Sequence, residues 1–470
     1  MQTYLFYDIE TTGLNKAFDQ VIQFAAIRTD LNLCELSRYE LRIKLNADII
    51  PSPYAIITHR TGIKASSKGI SEFEAIKKIH QWLNEPGTIS VGYNTLGFDD
   101  EFLRFSFYRN LLSCYTHQYA NNCGRMDIYP MTVMYFLFKN NLLNWPQIDG
   151  KTSLKLEQLN LQNNFCKGPS HDAMADVEAT VALAKCFYSD KTMWDYLINY
   201  FRKKPEQQRI EPLQKDAAII IDGLFGSALN FSCAAICIGT HKHYKNQTLW
   251  LRLDNIDFAS TPPEDLIEKT WVINKKPAEP NFVLPFKDRF IQQLTEDRIK
   301  LTQANLEWLK ANPTSKAKLA NHYLSYKYPV LPNTDPDASL YLHGFLTAGE
   351  ELLCQQFHAF TLKDKAILID KFSNTRLRTL ALRILGRHYP EILSAANLKL
   401  FQDDRQRLLS ECADTQPTDF RGQKALSPKQ ALADIAALQQ RHLRENHLDI
   451  EQINLLNEYS EYLLQNYAPA

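Results

Sequence analysis

The chain lacks most of the features that would assign it quickly. It has no charge excess: 53 Lys plus Arg are balanced by 53 Asp plus Glu over 470 residues. A uniformly basic nucleic-acid-coating protein is therefore excluded, and any phosphate-binding surface must be local and offset by acid elsewhere. It has no C-x-x-C pair. Its nine cysteines are scattered, and neither Cys233/Cys237 nor Cys114/Cys123 has a matching second half, which argues against a zinc site. No apolar run approaches the roughly 18–20 residues that span a bilayer. The N-terminal MQTYLFYDIE reaches an acidic strand at once, and together with unpaired cysteines it reads as a protein of the reducing cytoplasm with no membrane partner. No internal repeat and no low-complexity tract is present.

What is present is alternation. Tyr4–Glu10 and Val21–Asp30 read as strands. Ser71–Leu83 reads as a helix opened by a Ser71/Glu74 capping pair, with Phe73, Ile76, His80 and Leu83 on one face. Thr88–Tyr93 reads as a strand, a helix follows from about Asp99, and Ser170–Phe187 reads as another helix. This alternation predicts an α/β domain with a mixed sheet. RKKPEQQ (202–208) reads as a linker. The β-rich runs AAIIIDGLF, CAAICIG, LWLRLD and TWVI between about 216 and 290 predict a small antiparallel barrel or sheet. A proline-rich segment, 328–339, reads as a second linker, after which the chain is nearly all helix. There Ser427 caps a helix with Pro428 in its first turn, and Leu432/Ile435/Ala436 and Leu455/Tyr459/Tyr462 form apolar stripes.

Three acidic motifs carry the chemistry. In FYDIETTGL, Asp8 and Glu10 are two apart on a strand and leave the same sheet face. Two like charges there repel unless a hard divalent cation sits between them. Thr11, Thr12 and Gly13 follow as a turn. In VGYNTLGFDDEF, Asp99 and Asp100 fall at a helix start, where the helix dipole favours carboxylates in any case. In SHDAMADVEAT, His171 and Asp176 are five residues, about 500°, apart. They cannot share a helix face, so His171 lies at or before the first turn. Asp172 shares the face of Asp176 and is a rival ligand on geometry alone.

Taken in order, D-x-E, N-x-x-x-F-D and H-x-A-x-x-D resemble the three motifs of the DEDDh 3′→5′ exonuclease superfamily. The strings QFAAIRTD (23–30), GFDDEFLRFSFYRN (97–110), NWP (144–146), HDAMADVEATVALAK (171–185), DGLFG (222–226) and YLHGF (341–345) extend the resemblance to the bacterial exodeoxyribonuclease I family. The resemblance weakens from about 240 to 335. It implies a ribonuclease H-like mixed-sheet exonuclease domain (1–195), an SH3-like β-barrel domain (196–335) and a C-terminal all-helical domain (336–470).

The function it implies is processive 3′→5′ degradation of single-stranded DNA to 5′-mononucleotides, in DNA repair and recombination. Asp8, Glu10, Asp99 and Asp176 would hold two Mg²⁺ ions, with Mn²⁺ able to substitute, and His171 would be the general base. Glu10, Thr11, Arg104, Tyr115, Tyr119, Lys155 and His171 would contact the DNA. Lys155 stands where the family usually has arginine, which keeps the charge but loses the bidentate fork. The tail of single-strand DNA-binding protein would dock near Tyr196, and a clamp around one strand works as a monomer.

Overall fold

The computed structural model describes residues 1–167, 172–410, 412 and 415–467. The first third is a five-stranded sheet in the order β3-β2-β1-β4-β5, built from β1 (Thr3–Thr11), β2 (Val21–Thr29), β3 (Glu35–Arg42), β4 (Thr88–Gly92) and β5 (Gly124–Asp127). β1 pairs antiparallel with β2 and parallel with β4, giving the expected mixed sheet.

Side-chain parity along β1 decides what each face holds. Leu5, Tyr7 and Ile9 pack under helices α2 (Glu72–Leu83) and α3 (Asp99–Arg109). Tyr4 and Phe6 face the other way, against α4 (Ile128–Phe138) and α5 (Ala173–Tyr188). Asp8 and Glu10 share the parity of Phe6, so they emerge on the α5 side. A short helix, α1 (Pro53–His59), precedes α2.

A second sheet of five antiparallel-paired strands follows: Ala217–Ile221, Ser232–Thr240, Thr248–Arg252, Val272–Lys275 and Phe282–Pro285. It shares one core with the first sheet. Phe136 meets Phe231 at 5.8 Å and Tyr200 meets Phe282 at 4.4 Å, ring centre to ring centre. The stretch expected as a linker at 202–208 lies instead in a helix, Lys203–Leu213. Its polar look misleads because Glu206 is fully buried and pairs at 2.6 Å with the equally buried Lys275 of the second sheet. In the second expected linker, Pro336–Tyr341 is a 3-10 helix capped by Asp335.

The helices after 347 pack back on the first sheet's helices. Phe357, Leu368 and Leu380 share a cluster with Phe73 and Tyr108, while Ile435, Leu456 and Tyr459 share one with Ile50, Ile56 and Ile57. The buried stripe of helix Pro428–Glu445 is Ala431/Ile435/Leu438, and Ala436 faces water. No helix among the described residues is long and apolar enough to cross a membrane, and the nine cysteines are free.

Candidate active site

Asp8 and Glu10 leave β1 toward α5, and Asp176 leaves the first turn of α5 toward them. One carboxylate oxygen from each lies within 4.8 Å of the other two. Glu10 is 6 % exposed and Asp99, the first residue of α3, is 8 % exposed. Asp99 belongs to the same electrostatic cluster. Burial pushes the Asp8 carboxyl well above its ordinary range, and Asp99, Glu10 and Asp176 add repulsion. Burial likewise raises Asp99, with Asp127 and Glu10 adding to it. A cluster of acids that cannot all be charged comfortably, offering only hard oxygen donors, fits a hard divalent cation.

The tandem Asp99–Asp100 resolves clearly. Asp100 is 1 % exposed, and its carboxylate is taken up by other partners. It accepts from Arg125 at 2.7 Å, from Arg104 Nε at 2.9 Å and from His117 Nε2 at 2.9 Å. Burial alone would raise its pKa, but Arg125 and Arg104 outweigh burial and hold it well below the ordinary range. Asp100 is a structural anion and Asp99 is the one left for a ligand. Asp172 also leaves the contest. It is the N-cap of α5, accepting from the backbone N–H groups of Met174 and Ala175, with Gln23 donating to its other oxygen at 3.3 Å.

Other expected contact residues are placed as follows. Thr11 is buried beside Glu10, its hydroxyl bonded to the Gly13 carbonyl. Arg104 is committed to Asp100, with its guanidinium 5.8 Å from the centre of the Tyr115 ring. Tyr119, four residues on, is 69 % exposed. Lys155 is exposed at the N-terminus of helix Leu156–Asn163, and Tyr196 is partly exposed with Arg209 stacked on it at 4.6 Å. His171 lies outside the described residues.

Two residues were not visible in the sequence. His59, at the end of α1, places Nδ1 2.5 Å from Glu10 Oε2. Its partner is 49 residues earlier and no spacing rule connects them. Asp127, at the end of β5, accepts from the backbone N–H groups of Asn94 and Leu96 at 2.8 and 3.0 Å and so fixes the loop that delivers Asp99. Burial pushes its carboxyl up to about 6.

Residues 5–184 match the family described as Exonuclease, and residues 334–466 match the one described as Exonuclease I C-terminal domain. An exonuclease domain is thus followed, along the chain, by an exonuclease I C-terminal domain. Exodeoxyribonuclease I of Escherichia coli (strain K12) is 27% identical over 429 residues, covering 87% of this chain and 90% of that protein. A solved structure of E. coli exonuclease I in complex with a dA16 oligonucleotide superposes with TM-score 0.86 at 22% identity, covering 99% of this chain and 100% of that one. The zinc-ion-bound form of the E. coli exonuclease I–single-stranded DNA complex gives TM-score 0.85 at 22% identity, with the same coverage. The exodeoxyribonuclease I architecture thus runs the length of this chain, including the stretch from 240 to 335 where the sequence strings diverge.

Proposed function

We propose that this chain is a processive, divalent-metal-dependent 3′→5′ exonuclease that degrades single-stranded DNA to 5′-mononucleotides, in the cytoplasm, during DNA repair and recombination. The observation that carries the reading is the convergence of Asp8, Glu10 and Asp176 within 4.8 Å, with Asp99 electrostatically joined to them. These four side chains would hold two Mg²⁺ ions, or Mn²⁺ in their place. The ions would neutralise charge on the scissile phosphate and lower the pKa of the attacking water.

The chain's own residues do the rest. His171 takes the proton from the water, a task suited to an unperturbed pKa near 6.5. Glu10 and Thr11 border the terminal nucleotide. Arg104 and Lys155 lie along the phosphates, Arg104 while also buttressing Tyr115, and Tyr115 and Tyr119 offer faces to bases without reading sequence. The working units are an exonuclease domain (1–195), an SH3-like domain (196–335) and a helical domain (336–470), acting as a monomer. The single-strand DNA-binding protein tail docks near Tyr196, where the stacked Arg209 supplies positive charge.

The test uses 5′-labelled single-stranded DNA, its RNA counterpart and a blunt duplex, with Mg²⁺ and with EDTA. Mg²⁺-dependent shortening of the DNA single strand alone, from its 3′ end, is the expected result. Preference for RNA, or binding without cleavage, overturns the reading. Asp8→Ala is expected to keep the fold and most single-strand binding while lowering turnover by at least about a hundredfold, in the range seen when one transition-state charge stabiliser is removed. Activity within a few-fold of wild type would refute the ligand assignment.

A further inference from the structure

His59 is not one of the carboxylates that would hold the ions, yet its ring meets one of them. Nδ1 lies 2.5 Å from Glu10 Oε2, and the His59 side chain is 15 % exposed. An ionised carboxylate only accepts, so this close approach makes Nδ1–H the donor. A carboxylate has two oxygens, and one can meet the ring while the other serves an ion.

Glu10 needs such a hold more than Asp8 does. A glutamate side chain has one more rotatable bond than aspartate, so fixing it costs more rotamer freedom. The backbone adds to the difference. β1 and β2 keep their register on either side of Asp8, but the register shifts directly after Glu10, between Glu10 and Thr11. The ladder that fixes Asp8 from both directions along the strand fixes Glu10 from one.

The ring itself is anchored from three directions. His59 ends α1, and Arg60 stops that helix in the left-handed conformation at φ = 49°. The last helix, Ile450–Tyr467, holds α1 from outside. Gln452 Nε2 donates to the Ile57 carbonyl at 3.1 Å, and the Tyr459 hydroxyl donates to the Pro51 carbonyl at 2.7 Å. Arg60 pairs with Asp449 and Glu451 where that helix begins. At the other end of α1, Ser52 N–H donates to the Thr12 carbonyl at 2.7 Å, two residues beyond Glu10. α1 is a fixed bar between the C-terminal helix and the strand end that bears Glu10.

We infer that His59 is a positioning residue for the metal site. Its Nδ1–H holds the Glu10 carboxylate in the orientation an ion requires, from a helix that the C-terminal domain supports. This rests on the metal-dependent exonuclease reading above and extends it to a side chain outside the four carboxylates and His171. Hydrogen bonds to a ligand of this kind tune how tightly the ion is held.

His59→Leu removes the donor and keeps comparable bulk. His59→Asn returns an amide N–H near the place of Nδ1. His59→Gln carries its amide toward the place of Nε2 and keeps a polar side chain should the leucine fail to fold. Mn²⁺ binding is read without DNA, from the EPR signal of the free ion, and thermal unfolding in EDTA reports folding. His59→Leu and His59→Gln are expected to bind Mn²⁺ about ten- to a hundredfold more weakly than wild type. Turnover at limiting Mn²⁺ should fall with it and recover as Mn²⁺ is raised, with KM for the strand unmoved. His59→Asn should restore most of the affinity. A purely structural histidine would lower the melting temperature and leave Mn²⁺ affinity at the wild-type value, and that result overturns the proposal. Tighter Mn²⁺ binding by His59→Leu overturns it too, because the ring would then compete with the ion for Glu10. Failure of the wild type itself to bind Mn²⁺ overturns the metal-site reading, and it is recognised before any variant is compared.

Discussion

Asp99 and Asp100 are adjacent residues with opposite electrostatic fates. The difference comes from partners the local sequence does not contain. On a helix they point about 100° apart, and either could serve a ligand. Arg125 on β5 and His117 on the loop after α3 decide the matter by claiming Asp100. Asp100→Asn should therefore strand Arg104 and Arg125 and cost on the order of 3–5 kcal/mol in urea unfolding, the usual penalty for breaking a buried ion pair. Asp99→Asn should do the reverse in EDTA. Asp99 has a raised folded pKa, so the native state binds its proton more tightly than the unfolded chain. Stability from that proton is full below the ordinary carboxylate range near pH 4 and is lost as pH rises through the raised value. The asparagine should thus melt at a higher temperature than wild type at pH 7 without metal, while turnover is lost. A lower melting temperature would contradict the repulsion argument. The acidic motifs were legible in the sequence because each is a local spacing. Spacing alone left the tandem open and only the family resemblance pointed to Asp99; the partners that claim Asp100, and the His59–Glu10 contact, come from distant segments and were not legible.

At the scale of elements, the helix bearing Asp176 is held at its start by Asp172, whose carboxylate accepts two backbone N–H groups. By sequence spacing Asp172 competes for the metal, and in the fold it is the cap of the helix that carries Asp176. Asp172→Ala should cost about 1 kcal/mol by the ordinary value of an N-cap, and Asp172→Asn much less, with both read from thermal unfolding. If instead the two variants lost activity equally, and as completely as an Asp8 variant, Asp172 would be a ligand and not a cap. Elements misread from sequence failed for comparable reasons. β3 is exposed or half-buried throughout and shows no apolar alternation, so only its pairing with β2 makes it a strand. Helix Lys203–Leu213 was hidden by polar composition whose Glu206 is neutralised by Lys275 from a segment 69 residues away. Phe282–Pro285 is a four-residue strand, too brief to announce itself.

Across the whole molecule, a buried chain of ion pairs ties the C-terminal helices to the catalytic half. Arg383 pairs with Asp335 at 2.6 Å and Asp404 at 2.7 Å, and Arg387 pairs with Asp48 at 2.7 Å, on the loop before α1. Burial opposes charge on Asp48, yet Arg387 overcomes it and holds the carboxyl below its ordinary range; Asp335 behaves the same way with Arg383. Depressed folded pKa values place this contribution above the unfolded range near pH 4, and it is lost as pH falls through the folded values. Paired acid and base of this kind fit a chain whose charges balance overall. Arg387→Met leaves Asp48 buried without its partner and should cost about 3–5 kcal/mol in urea unfolding. The functional consequence should be specific. If the seam only stabilises, activity at 25 °C below the unfolding transition will match wild type. If the helical domain must be held against the exonuclease domain for the strand to stay bound, the variant will cut single steps at a near-normal rate while its runs under a DNA trap shorten. That split between step rate and run length is the expected outcome, because the pair lies at the domain contact and away from the carboxylate cluster.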